Sequence, residues 1–283
     1  MNAGALAEAL DGAARDGRPL AGGGSGLTDT AAAYAVQGAL VARRLARGER
    51  LTGFKLGFTS VAKMRQMGVS DLIHGRLTDR MEVPDGGRLD VSGLIHPRVE
   101  PEVAFLLGDR LVPGGDPMAA VAAVAPALEV IDSRYDGFRF SLPEVVADNT
   151  SAAHYAVGAW RAPRELGGLG VLLELDGRTA ETGSTAAILG HPLRALAAAA
   201  RLGGPLEPGT VILAGAATAA VPLPPGTYVR ATVAGLGTVA LTTAAAGDAK
   251  SGEGAVFAEA AGHAGGTESA TTAADAETAE GDA

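Results

Sequence analysis

The stretch IHPRVEPEVAFLL at residues 95–107 limits what this chain can fold into more than any other, because it joins the apolar content of a strand to two acids. Side chains alternate faces along a strand, so Glu100, Glu102 and Ala104 share one face and Val99, Val103 and Phe105 the other. Two carboxylates on one face of an otherwise apolar strand repel each other and lose hydration on burial, so solvent or a cation must compensate them. The residues leave two readings open. One is a solvated face at a sheet edge, which Pro101 suits because it cannot donate to a central ladder. The other is half of a hard divalent-metal site with oxygen ligands only.

No cysteine occurs among the 283 residues, which excludes disulfides, thiolate ligands and cysteine nucleophiles and leaves carboxylates, histidines or carbonyls to hold any metal. With 47% hydrophobic residues the chain can bury a large core, in one or two domains. The first residues, MNAGALAEALDGAARDG, mix acids into an alanine-rich amphipathic run and do not resemble a signal peptide. No segment reaches the roughly 18 consecutive apolar residues of a membrane span. A cytoplasmic protein with no membrane contact is expected. The net charge of −9 is unevenly spread: from Ala244 onward eight acids accompany one base, Lys250, giving that tail −7 and the rest −2. Neither part offers the concentrated basic surface that nucleic acid requires, so nucleic acid is not an expected partner.

Along the chain, residues 3–15 read as a helix, a break follows at GGGSG (22–26), and Thr28 or Asp29 caps a second helix with Tyr34, Val41 and Leu45 on its apolar face. Arg43, Arg44 and Arg47 at its end suit the negative pole of the helix dipole and read as capping and surface charge. Residues 51–58, LTGFKLGF, look like a strand with Lys55 among apolar neighbours. Such a lysine either snorkels its amine to water or is held in a pocket to bind an anion or move a proton. A third helix is expected at 61–69, capped by Thr59 or Ser60 and ended by Gly68.

The turn Pro84-Asp85-Gly86-Gly87 predicts a hairpin across 82–94, and residues 118–124 predict a short alanine-rich helix. The strand at 127–131 carries a lone acid, Glu129, which needs a partner if its face is buried. From 138 the pattern suggests strand, turn and an irregular segment around Asp148-Asn149-Thr150-Ser151, residues that favour turns. A hairpin at the Asp176-Gly177 turn, a helix at 192–200 and strands at 210–213, 228–233 and 237–242 complete the ordered part. The loop Ala214-Gly215-Ala216-Ala217-Thr218 is small enough for a ligand to approach backbone amides. Beyond Ala244 the composition cannot bury enough surface to offset the entropy of ordering, so a disordered acidic tail is expected.

Taken together, GFKLGFTS, KMRQMGV, GRLTDRM, IHPRVEPEVAFLL, PALEVIDSRY, FRFSLPEVVADNTSAA, LGHPLRAL and AGAATAAVPLPPG resemble the hydratase and decarboxylase group of the fumarylacetoacetate hydrolase superfamily, over about residues 28–242. IHPRVE, RLTDRM and DSRY point to its decarboxylase branch. The resemblance implies an α+β fold: a mixed, curled β core with peripheral helices and a small helical N-terminal part. It suggests an N-terminal helical region at 1–78, a catalytic core at 79–243 and the tail at 244–283. It implies that Glu100, Glu102 and Glu129 hold Mg2+ or Mn2+, that Lys55 is catalytic, and that Asn149 and Ser151 line the pocket. Arg80, Arg98 and Arg134 become candidates for binding a substrate carboxylate. The activity implied is loss of carbon dioxide from 2-oxo-3-hexenedioate to give 2-hydroxypenta-2,4-dienoate, as in meta-cleavage aromatic catabolism. A homo-oligomer and a complex with a hydratase of the same family are implied partners. The sister activity is hydration of 2-hydroxypenta-2,4-dienoate, but hydratases carry an acid two positions before the glycine matching Gly75, where this chain has Ile73. A third reading is a catalytically idle partner subunit.

Overall fold

A computed structural model describes residues 2–60 and 72–245; the helix expected at 61–69 and the acidic tail beyond Ala245 lie outside the described residues. Helix α1 (Ala3–Asp16) opens on Asn2, whose side chain accepts from the Ala5 amide, and stops at Gly17 in the left-handed region. Helix α2 (Thr30–Ala46) is capped by Asp29, with its side chain on the Ala32 amide. Leu6 and Leu10 of α1 pack with Ala33, Val36 and Leu40 of α2 in one cluster that reaches Ile73, Tyr135 and Val146. The basic end of α2 braces this pair: Arg47 forks onto both oxygens of Asp11, and Arg44 holds Glu49 at 2.8 Å.

Two sheets follow. The larger contains β1 (Leu51–Gly57), β2 (Ile73–Thr78), β4 (Arg98–Leu107), β5 (Val121–Ile131), β6 (Ala152–Val157) and β9 (Val211–Leu213) in the order β2-β1-β9-β4-β5-β6, with β10 (Val221–Pro222) paired to β4. The smaller runs β3-β12-β11-β7-β8, from β3 (Gly87–Leu89), β7 (Gly170–Leu175), β8 (Arg178–Ser184), β11 (Tyr228–Val233) and β12 (Gly237–Thr243). Val99, Leu128 and Val130 of the first sheet pack against Leu173, Val229, Ala231 and Leu241 of the second. Helix α4 (Pro192–Gly203) covers Phe54, Leu56, Val103 and Phe105 with Leu196 and Ala199. A curled mixed sheet with peripheral helices is therefore the architecture, as the sequence led us to expect.

The edge-strand reading of residues 95–107 is corrected, because β4 is central: β5 pairs along its whole length and β9 and β10 pair on its other side. Pro101 is tolerated because its carbonyl, and so its donor-less nitrogen, faces the Ala217 amide in the gap between β9 and β10. No helix forms at 118–124; a turn there leads into β5, whose Val121 and Ala123 pair with Leu107 and Leu106. The 82–94 hairpin is also absent. Instead β3 pairs in parallel with β12, and Asp85 accepts from the Ala240 amide. The irregular segment after 138 contains a short helix, α3 (Leu142–Ala147), built on a capping box in which Ser141 and Glu144 satisfy each other's backbone amides. Among the described residues no helix is long and apolar enough to cross a membrane.

Candidate active site

The ladder between β4 and β5 sets Glu100 directly opposite Glu129, and the two-residue repeat adds Glu102 on the same face. Ligand oxygens of the three lie within 4.8 Å of one another, with Glu102 and Glu129 fully buried and Glu100 5% exposed. Lys55 reaches them from β1: its Nζ lies 3.0 Å from Glu129 Oε2 and donates to the Thr150 carbonyl at 3.0 Å. It is 3% exposed, so the snorkelling alternative does not hold. The Gly215 amide donates to Glu102 Oε2 at 2.7 Å, as a small-residue loop near the site allows.

Among the described residues Glu102 and Glu129 are buried together in a dry setting with the Lys55 ammonium as the cation beside them. Burial pushes Glu102 well above the usual carboxylate range, aided by Glu129 and Glu100. Burial also raises Glu129 to about 7 despite the attraction of Lys55. For Lys55 burial acts downward, but Glu129, Glu100 and Glu102 together outweigh it and the net shift is upward. Among the described residues Glu102 Oε1 and both oxygens of Glu129 are buried without a hydrogen-bond partner, the Lys55 contact at Oε2 being an ion pair. All-oxygen donors brought within 4.8 Å of one another and buried oxygens with no hydrogen-bond partner among the described residues fit a hard divalent cation such as magnesium or manganese.

A pH dependence follows for the metal-free protein. Burial raises both Glu102 and Glu129, the latter to about 7, so the pair keeps proton in the folded state that the unfolded chain has lost, and stability falls as pH rises toward and through that range. Asp148, raised by burial to about 6, acts in the same direction lower down, while His74, lowered by burial to about 4, opposes both only below its unfolded pKa near 6.5. Thermal melts from pH 6.5 to 8 should show a decline of roughly 1 kcal/mol that saturating magnesium removes. A pH-independent melting temperature without metal would contradict the proposed electrostatics.

A cavity of about 380 Å³ opens beside the carboxylates, and Lys55, Glu100, Arg98, Thr150 and Ser151 supply its polar wall. Its apolar wall includes Phe58, Ile73, Ile131, Phe138, Phe140 and Val145. Arg98 is exposed, one pleat repeat from Glu100 on β4, with its guanidinium 5.2 Å from the centre of the Phe138 ring. The other candidate arginines lie elsewhere. Arg134 is buried and spends its donors on Asp148 and on the carbonyls of Asp132 and Ala152, and Arg80 is exposed and outside the cavity lining. Ser151 lines the cavity with its hydroxyl unpartnered. Asn149 does not line it, since both ends of its amide bond the Arg76 backbone. Thr150 and the aromatic wall went unmarked in the sequence: a turn-forming polar cluster and Phe138-Arg139-Phe140 give no local sign of facing a pocket.

Residues 75–243 match the fumarylacetoacetate (FAA) hydrolase C-terminal family. A 4-oxalocrotonate decarboxylase from a Pseudomonas species is 52% identical over 248 residues, covering 84% of this chain and 96% of that protein. A 2-keto-4-pentenoate hydratase from Paraburkholderia xenovorans is 38% identical over 192 residues, 64% of this chain and 71% of that protein. Among solved structures, 4-oxalocrotonate decarboxylase from Pseudomonas putida G7, complexed with magnesium and adipate, superposes with a TM-score of 0.82 at 40% identity, covering 85% of this chain and 97% of that one. The chain belongs to the FAA hydrolase family.

Proposed function

We propose that this protein is a metal-dependent carboxy-lyase that converts 2-oxo-3-hexenedioate (4-oxalocrotonate) to 2-hydroxypenta-2,4-dienoate and carbon dioxide. The observation that carries the reading is the 52% identity to a decarboxylase across nearly its whole length, against 38% over a shorter span to a hydratase. The buried trio Glu100, Glu102 and Glu129 would hold magnesium or manganese, and the magnesium bound to the G7 relative supports that assignment. When bound, the ion supplies Lewis acidity at the 2-oxo group.

The substrate's C6 carboxylate sits on C5, which the C3=C4 double bond connects to the C2 carbonyl. Breaking the C5–C6 bond releases carbon dioxide and sends its electron pair through that double bond to the C2 oxygen, which then takes up a proton. Lys55, charged and rigidly held, is placed to steady negative charge there and to supply the proton. Arg98 is the anion contact for the C6 carboxylate, one pleat repeat of roughly 7 Å from the metal ligands, a length matched to a six-carbon diacid. The adipate held by the G7 relative is also a six-carbon dicarboxylate. Phe138, Phe140, Ile131 and Val145 strip water from the leaving carboxylate, favouring the uncharged product. Ile73, 3% exposed, stands on that wall at the position where the family's hydratases carry an acid, which favours decarboxylation over the addition of water.

The product is the substrate of the family's hydratases, so a complex with such a hydratase and a homo-oligomeric state remain part of this proposal. Incubation with magnesium and the diacid should release one carbon dioxide per substrate and lose that activity with a chelator. Arg98→Ala should raise KM for the diacid about tenfold with a smaller change in kcat, as loss of a charge-assisted contact predicts. Absence of carbon dioxide release from a metal-loaded preparation would remove the decarboxylase reading.

A further inference from the structure

Asn149, Thr150 and Ser151 form a run of three non-glycine residues in the left-handed region, with φ of 50°, 54° and 58°, and all three are buried. Asparagine enters that region readily, but a run that carries Thr150 and Ser151 with it persists only when the surroundings impose it. Here the surroundings are specific. Asn149 Oδ1 accepts from the Arg76 amide at 2.7 Å and its Nδ2 donates to the Arg76 carbonyl at 2.9 Å, so the side chain extends the β2 edge like one more peptide. From the other side the Asp132 amide donates to the Ser151 carbonyl at 2.9 Å.

Two glycines clear the space. A Cβ at Gly75 would lie 2.4 Å from the Asn149 carbonyl oxygen, and one at Gly57 would lie 2.6 Å from Thr150 Cγ2. The result of this forced geometry is a single aimed group, the Thr150 carbonyl, 3.0 Å from Lys55 Nζ. An ammonium has three N–H bonds. The Thr150 carbonyl accepts one, the ion pair with Glu129 holds the head on the side of the trio, and Lys55 lines the cavity, where its remaining N–H capacity faces substrate.

We propose that Asn149 is a positioning residue: by clamping the Arg76 backbone it holds the left-handed turn that aims the Thr150 carbonyl at Lys55 and thereby fixes the ammonium toward the substrate oxygen. The inference rests on the decarboxylase reading and deepens it. Without the clamp the turn relaxes, the carbonyl swings away, and Lys55 is drawn toward the carboxylates. The fold and the metal ligands stay in place, because neither depends on that carbonyl.

Asn149→Gly tests this, since glycine takes a positive φ without strain and only the clamp is lost. The expected result in the magnesium-loaded protein is a kcat for the diacid lowered about tenfold or more, with KM and magnesium affinity each changed less than about threefold. In spectra of protein carrying 15N at lysine Nζ, the Lys55 ammonium, assigned by its absence in Lys55→Ala, should exchange slowly in the native protein and be lost to rapid exchange in the variant. Gly75→Ala displaces the same turn from the β2 side with Asn149 intact and should give the same pattern, which keeps the test open should one variant not fold. A native Lys55 signal in both variants, or full turnover in both, overturns the proposal. If native protein does not decarboxylate the diacid, the functional reading fails on its own, and the ammonium spectrum still decides the positioning role.

Discussion

Glu102→Gln is expected to weaken magnesium and manganese binding on the order of a hundredfold while raising the melting temperature of the metal-free protein. Both effects come from one source. Glu102 is fully buried beside Glu129 and Glu100, and burial has already pushed its carboxyl well above the usual range. Glutamine keeps the oxygen that accepts the Gly215 amide but has no charge to bury, so without metal the cost of burial, and with it the repulsion from Glu129 and Glu100, is relieved. Each kcal/mol relieved corresponds to about 2–4 °C for a chain of this size. With metal the same substitution removes an anionic oxygen from a site whose affinity depends on ligand charge. Opposite signs with and without metal mark a cation site; a merely structural acid would move both melts together. Glu100→Gln and Glu129→Gln should follow in metal affinity, and calorimetry finding unchanged affinity in all three would remove the site.

Lys55→Ala is expected to lower kcat for the diacid by about a thousandfold, within the range of a lost general acid, while metal binding is retained or tightened. The structure adds an effect on stability. Lys55 is the buried cation that faces this trio among the described residues, so its removal leaves the acids uncompensated at an expected cost of about 3–5 kcal/mol without metal. Saturating magnesium should recover most of that loss, because the ion replaces the missing charge. Turnover should not recover with it. Recovery of turnover with metal would show that Lys55 is not the proton source, and an unchanged metal-free melt would show that it is not the charge partner of the trio.

The features that build this site are unequally legible in the chain. The shared face of Glu100 and Glu102 follows from strand alternation alone. Their burial does not, since it depends on β9 and β10, more than a hundred residues downstream, arriving to make β4 central. The convergence of Glu129 depends on a register between two strands that local pattern leaves free, and family resemblance supplied it. The arginines illustrate the same limit: Arg134 is spent because Asp148, on the far side of α3, reaches back to it. The S-x-x-E capping box of α3 was present at Ser141 and Glu144, and its apolar continuation is too short to register as a helical period. The parallel pairing of β3 with β12 had no local trace, because the Pro84 to Gly87 turn serves equally well to open a hairpin or to lead into a distant partner. The left-handed turn at Asn149 was likewise hidden, being imposed by Arg76, Gly75 and Gly57 across the fold.

In the proposed mechanism the carboxylates, Lys55 and a wall with Ile73 where hydratases carry an acid commit this site to losing carbon dioxide and away from adding water. The most direct test compares kcat/KM for carbon dioxide release from 2-oxo-3-hexenedioate with kcat/KM for hydration of 2-hydroxypenta-2,4-dienoate, on one magnesium-loaded preparation. Decarboxylation should exceed hydration by about a hundredfold or more. Efficient formation of 4-hydroxy-2-oxopentanoate with no carbon dioxide release would contradict it.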